Sequence, residues 1–179
     1  AAYGVLTGDN LGGGSTLTQQ LIKNNVFDGG METSFGAQLE RKFQEQYLAI
    51  QLTKSMDRKL ILTNYLNTIN LGNNTLGVKV AARRYFNKEV SELTLSECTV
   101  IAGITQNPSR LNPITGKERN EEKRRVILQY MFDQGYITKE EQAEALADEV
   151  YDRIQNVDLV VKDTTPYSYF TDELTSQVK

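Results

Sequence analysis

Gly12-Gly13-Gly14-Ser15-Thr16-Leu17-Thr18-Gln19-Gln20-Leu21-Ile22-Lys23-Asn24 is the stretch around which the rest of the chain falls into place. Its glycines let the backbone turn sharply and come close to a ligand. Ser15 or Thr16 can then cap a helix by accepting an otherwise unpaired backbone N–H. On that helix Thr16, Gln20 and Lys23 follow at spacings of four and three, so they share one face. A hydroxyl, an amide and an ammonium beside a helix N-terminus suit a phosphate or a sugar. The same spacing also describes a solvated helix face after a glycine-rich loop, and the stretch alone does not separate the two.

Composition narrows the chemistry. The chain has 179 residues, 39% hydrophobic and 24% charged, which is a globular pattern and enough for one domain with a core. A net charge of −3 gives no broad basic field for nucleic acid. There is one cysteine, Cys98, and no histidine, so a disulfide framework, Ser-His or Cys-His activation and the usual zinc sites are excluded. Carboxylates, Lys, Arg and Tyr remain. No apolar run is long enough to span a bilayer, no signal peptide is visible and no initiating Met precedes Ala1, so the chain reads as a fragment.

Further along, apolar periodicity and caps predict a mainly α architecture. The glycines around Phe27 to Gly36 make a loop, and its Val26, Phe27, Met31 and Phe35 are unusually apolar for such a connector, as an exposed surface for a bilayer would be. Helices are expected over about Leu39 to Ser55, after Asp57 with a stripe of Leu62, Tyr65, Leu66 and Ile69, and around Val78 to Phe86. Thr94-Leu95-Ser96-Glu97 and Thr138-Lys139-Glu140-Glu141 have capping-box spacing and open helices to about Ile104 and Ile154. Between them a helix from Glu118 to Gln134 stops at Gly135. Asn67 is read as a bracket for a loop, Val157 to Val161 as a weak strand, and 162–179 as a connector.

A second informative stretch is Arg41-Lys42-Phe43-Gln44-Glu45-Gln46-Tyr47-Leu48-Ala49-Ile50-Gln51-Leu52. Helical spacing puts Glu45 beside Arg41 and Lys42 on one side and Leu48, Ala49 and Leu52 on the other. Burial disfavours its charged form and the two cations favour it, and the sequence leaves that balance open. A surface ion pair worth a few tenths of a kcal/mol is the simpler alternative.

Taken together, these stretches resemble the peptidoglycan glycosyltransferase family, the polymerase module of bifunctional penicillin-binding proteins and of monofunctional transglycosylases. The likeness lies in Gly14 to Asn24, in Arg41-Lys42-x-x-Glu45-x-x-x-Ala49-x-x-Leu52, and in Ile61-Leu62-x-x-Tyr65-Leu66-Asn67. It continues through Gly77-Val78-x-x-Ala81-Ala82-x-x-Tyr85-Phe86-x-Lys88, Leu95-Ser96-Glu97, Ala102-Gly103, Pro108-Ser109, Asn112-Pro113 and Tyr136-Ile137-Thr138, covering roughly 12–155. The resemblance implies a lysozyme-like helical fold over 1–157, truncated at its N-terminus, with 158–179 leading toward a transpeptidase domain. It implies that lipid II is polymerised into glycan strands at the outer face of the bacterial cytoplasmic membrane. The acceptor's 4-hydroxyl would attack the anomeric carbon with inversion, and undecaprenyl pyrophosphate would leave. Glu45 would be the catalytic residue on the pyrophosphate side, with a divalent cation (Mg or Mn) as a candidate cofactor. Ser15, Thr16, Gln20, Lys23, Asn24, Arg41, Lys42 and Arg124 would bind substrate.

The departures from the family pattern are specific. A Glu-Asp motif carrying the general base belongs upstream of the glycines, where eleven residues with only Asp9 as an acid stand. Thr53 and Thr63 replace frequent acids, and an arginine common near Ala37 is missing. Two other readings follow from these residues, a lysozyme-like hydrolase with one glutamic acid and an inactive module that binds lipid-linked substrate. Arg41 and Lys42 beside Glu45 disfavour the hydrolase, whose acid needs an apolar pocket.

Overall fold

The computed structural model describes residues 14–27, 29–30 and 32–156. These are helices α1 (Leu17–Val26), α2 (Phe35–Ser55), α3 (Arg58–Thr68), α4 (Val78–Phe86), α5 (Leu95–Ile104), α6 (Lys117–Asp133) and α7 (Lys139–Ala147), with 3₁₀ turns at Val90–Glu92 and Val150–Arg153. Among the described residues there is no strand, only an isolated bridge between Asn70 and Leu76. The mainly α class is as expected. The weak strand at Val157 to Val161 and the connector at 162–179 lie outside the described residues. So do the glycines at Gly12 and Gly13. The described residues divide into two compact units, 14–68 and 69–156.

In the first unit α1 packs against both α2 and α3. Leu21 and Ile22 of α1 are fully buried, and Ala49, Leu52, Met56, Ile61 and Tyr65 complete the core. Thr16, rather than Ser15, caps α1, and Gln19 reaches back to close a capping box. Ser34 caps α2 through Ala37 N–H, so that helix starts four residues before Leu39. Of the expected stripe Leu62, Tyr65, Leu66 and Ile69, Tyr65 and Ile69 are buried and the other two are not. Ile61 and Tyr65 are buried, whereas Leu62 and Leu66 are exposed. Asn67 is exposed and brackets nothing. That work falls to Asn70, whose Oδ1 accepts Gly72 N–H at 2.9 Å.

In the second unit α5 is the central helix, packed by α4, α6 and α7. Its seven buried residues out of ten reflect a helix apolar nearly all round. Gly103 is what lets α6 approach: a Cβ there would lie 3.1 Å from Asn120 Nδ2. Asn120 uses that proximity to donate to Val100 O at 3.2 Å and Leu111 O at 2.8 Å, and it accepts from Tyr151 Oη at 2.6 Å. Both capping boxes form, at Thr94 with Glu97 and at Thr138 with Glu141. Gly135 takes φ +74° at the end of α6, the left-handed conformation a helix stop needs.

The helix expected to run to Ile154 instead ends at Ala147. Asp148 leaves helical geometry (φ −74°, ψ 121°), and its carboxylate receives both terminal nitrogens of Arg153 at 2.7 Å. A bidentate ion pair replaces the continuing helical ladder.

Candidate functional site: a cationic cradle around Glu45

Glu45 lies midway along α2 on the stripe Arg41, Glu45, Ala49 and Leu52, all buried. It is 1% exposed. An isolated buried carboxylate is costly, so it must be paired and hydrogen-bonded. It accepts from Arg41 Nη1 on one oxygen and from Lys42 Nζ, at 2.7 Å, on the other. The helical spacings of four and three that suggested these partners do deliver them. Both oxygens are therefore committed to cations.

The cluster extends beyond α2. Arg41 Nε donates to Glu32 Oε2 at 2.6 Å. The hydrogen bond from its own backbone lowers the Glu32 pKa; burial opposes this, and Arg41 and Lys23 add to the lowering. Burial works against the Arg41 charge, but its bonds to Glu32 and Glu45 outweigh that and raise its pKa. Gly30, at φ +73°, holds the group together. A Cβ there would come within 2.7 Å of Arg41 Cζ and 2.9 Å of Lys23 Cε. Gly30 thus lays its backbone against two cations from different helices, a close approach that only glycine makes without displacing them.

Lys23, Arg41 and Lys42 stand against Glu32 and Glu45, one positive charge in excess. Lys23 makes no salt bridge among the described residues. It sits in the last turn of α1, where the helix dipole also favours a cation. The arrangement is a fixed positive cradle with one ammonium free to meet an anion.

The other expected site residues divide. Gln20 lies on α1 one turn before Lys23, and its amide oxygen accepts from Tyr65 Oη at 3.2 Å. Its Nε2 donates to Ser15 O at 3.4 Å, so Ser15 contributes its carbonyl. Thr16 spends its hydroxyl on the cap instead of presenting it beside Gln20 and Lys23. Asn24 is half-buried. Arg124 belongs to the second unit, is 2% exposed, and bonds Glu121, Ser96 Oγ and Ala145 O. Its guanidinium fastens α6 to α5 and α7, which is a scaffold role. Its place on the buried stripe Asn120, Arg124, Leu128 was the available signal.

Sequence reasoning missed Glu32 and Gly30. Both lie in a glycine-rich connector, and no periodicity links Glu32 to Arg41 nine residues away. A resident metal does not fit this donor set. Both Glu45 oxygens and one of Glu32 face cations, and no group of three acidic or cysteine side chains converges among the described residues.

In the first unit, then, a buried acid is held by two cations, and a third cation stands beside them. The chain belongs to the transglycosylase family, whose model matches residues 1–132 and so includes the whole cradle. Penicillin-binding protein 1A of Clostridium botulinum is 43% identical over 143 residues, covering 77% of this chain and 17% of that protein. Penicillin-binding protein 1A of Aquifex aeolicus is 40% identical over 169 residues, or 93% and 21% of the two chains. That of Clostridium perfringens is 37% identical over 182 residues, or 98% and 26%. The chain therefore spans about a quarter or less of the length of these relatives. Among solved structures, penicillin-binding protein 1A of Haemophilus influenzae matches with 43% identity and a TM-score of 0.49, over 56% of this chain and 15% of that one.

Proposed function

We propose that this chain is the glycosyl-transferring part of a peptidoglycan polymerase. It would join the sugars of lipid II into glycan strands with inversion and release undecaprenyl diphosphate. The observation that carries this reading is the surplus-positive cradle of Lys23, Arg41 and Lys42 held by buried Glu45. A departing diphosphate gathers negative charge in the transition state, and fixed cations stabilise it there without reorganising. Arg41 can grip a phosphate with a planar fork, and Lys23 meets it as a compact point charge. Glu45, with both oxygens occupied, positions Arg41 and Lys42 and passes no proton. That also disfavours a lysozyme-like hydrolase, which needs a carboxylic acid in an apolar pocket. The divalent cation (Mg or Mn) that the resemblance implies finds no donor set of its own here, and no step is routed through it.

A polyprenyl-linked substrate calls for a chain that meets the outer face of the cytoplasmic membrane. Val26 and Phe35, at the ends of the apolar connector, are exposed. Phe27 is half-buried and Met31 lies outside the described residues. A stronger signal was missed in the sequence: Phe43, Tyr47 and Ile50 of α2 are 64%, 63% and 49% exposed at helical spacing. Phe43 and Tyr47 stand two residues before and after Glu45, about 200° round the helix from it. Polar and apolar faces of one helix thus serve the two ends of an amphiphilic substrate. No described helix is long and apolar enough to cross a membrane.

The test is polymerisation of labelled lipid II by the full-length protein, together with vesicle flotation. Glycan chains that vanish with Glu45→Gln support the reading. Binding without turnover by the native protein would leave an inactive lipid II-binding module. Flotation weakened by Phe43→Ser with Tyr47→Ser, at unchanged melting temperature, supports the membrane face, and unchanged flotation removes it. A C-terminal transpeptidase domain in the full-length protein is part of the same proposal.

A further inference from the structure

The second unit carries a cleft of its own, which shares no residue with the Glu45 cradle. It lies between the 105–116 connector and the side of α6, with a volume of about 460 Å³, within the range of small-ligand sites. Arg110 comes from the connector. Arg119, Glu122 and Lys123 come from the first half of α6, and Leu111 and Val126 add apolar wall.

The charge of this cleft is unbalanced. Among the described residues, none of Arg110, Arg119, Glu122 and Lys123 makes a salt bridge. The next carboxylate, Glu121, instead takes Arg124 at 2.5 Å and Arg125 at 2.7 Å. So Glu121 neutralises Arg124 and Arg125, while Arg110, Arg119 and Lys123 line the cleft with Glu122 as its one carboxylate, in a chain whose net charge is −3. Arg119 and Lys123 are a like-charged pair at i,i+4, an arrangement that costs an isolated helix a few tenths of a kcal/mol.

The frame is fixed from two sides. Asn112 Oδ1 accepts Ile114 N–H at 2.9 Å, and Asn120 Nδ2 donates to Leu111 O at 2.8 Å. Arg110 N–H donates to Asn107, and a Cβ on Gly116 would lie 2.4 Å from Arg110 O. Arg110 and Leu111 therefore project from a pinned backbone, which lowers the ordering cost of binding.

We infer that this cleft binds a short peptide carrying several carboxylates and one free ammonium. Guanidinium forks match carboxylates, Glu122 meets the ammonium, and Leu111 with Val126 receive an aliphatic stem. Glu122 also works against a pure polyanion such as a phosphate chain, by like-charge repulsion. The inference uses no residue of the Glu45 cradle, so it stands or falls apart from glycosyl transfer.

Calorimetric titration of the protein with acetyl-Glu-Lys-Glu, which has three carboxylates and one ammonium, tests it. The same peptide acetylated on its lysine and inorganic phosphate serve as comparisons. Expected results are saturable binding of the first peptide and at least tenfold weaker binding by Arg119→Ala with Lys123→Ala. Glu122→Gln should weaken binding of the free-ammonium peptide and leave the acetylated one unchanged. If the double variant melts early, Arg110→Ala on the connector gives the same reading. No binding at millimolar peptide, or equal binding of both peptides, overturns the inference. Phosphate competing as well as the peptide also overturns it, since the cleft would then be a generic anion patch.

Discussion

Two carboxylates in this chain are almost equally hidden: Glu45 is 1% exposed and Glu97 is 0%. Each is held by two cations, Glu45 by Arg41 and Lys42 and Glu97 by Lys88 and Arg153. Their surroundings differ in two ways. Glu97 also accepts Thr94 N–H at 2.9 Å, and Arg153 goes on to Asp148, so two acids and two cations close on themselves. Among the described residues Glu45 has no backbone donor, and its network runs through Arg41 to Glu32 with Lys23 outside any ion pair. Burial and pairing alone do not mark a functional acid. A charge surplus with no internal partner does, because only such a network still has something to offer a ligand.

The largest expected effect breaks the comparison on the functional side. Glu45→Gln in the full-length protein should lower lipid II polymerisation about a hundredfold or more, the scale of losing one preorganised electrostatic element. Arg41 keeps Glu32, so the variant should remain folded by circular dichroism. Near-normal turnover would remove Glu45 from the mechanism. The matching change, Glu97→Gln, should do the reverse. Losing the charge-assisted bonds to Lys88 and Arg153 should cost about 2 kcal/mol, or roughly 4–8 °C in melting temperature for a chain of this size. Turnover per folded molecule should not change. A specific activity defect in Glu97→Gln would mean that a closed network can also be catalytic, and the distinction would fail.

How far these networks could be read from the sequence depends on the distance their contacts span. The Thr94–Glu97 and Thr138–Glu141 boxes, the Gly135 stop and the pairing of Glu45 with Arg41 and Lys42 are local, fixed by helical geometry within four residues. Contacts set by tertiary packing were not legible. Arg153 reaches Glu97 across 56 residues, and its hold on Asp148 ends α7 where the local pattern would have continued it. The resemblance implied Arg124 as a cation for substrate, whereas it is buried and paired with Glu121. Ile61 joins the expected Tyr65 in the core of their unit, and Leu62 and Leu66 do not, because α1 packs on that side of α3. An apolar stripe wider than one face cannot say which edge is covered.

A smaller effect sharpens the comparison. Lys23→Ala removes the one cation of the cradle that makes no salt bridge among the described residues, so stability should move by no more than about 0.5 kcal/mol. Binding of a diphosphate-sugar analogue should weaken roughly tenfold, near the lower end for a hydrogen bond to a charged group. The salt dependence of binding should flatten with it, because a half-buried cation is still partly screened by salt. A stability loss as large as that of Glu97→Gln would mean that Lys23 is structural and the surplus charge is not free.

The smallest expected effect concerns acid. Burial raises the pKa of Glu97, but Lys88, Thr94 N–H and Arg153 together outweigh it and hold the carboxyl below its ordinary range. Arg153 likewise lowers Asp148. A depressed folded-state pKa means that the unfolded chain takes up the proton first. The stabilisation is then complete above the unfolded carboxylate pKa of about 4.3 and is lost as pH falls through the folded one. Lys88→Met removes the principal cause, so Glu97 should titrate closer to its unfolded value and contribute less. Melting temperatures of the native protein and Lys88→Met should therefore differ at pH 7 and converge toward pH 3. Glu32, also depressed, is common to both proteins and cancels in the difference. A gap that stays constant across this range would show that Lys88 supports the second unit through its alkyl stem rather than through the charge of Glu97, and the closed network would then owe its strength to packing.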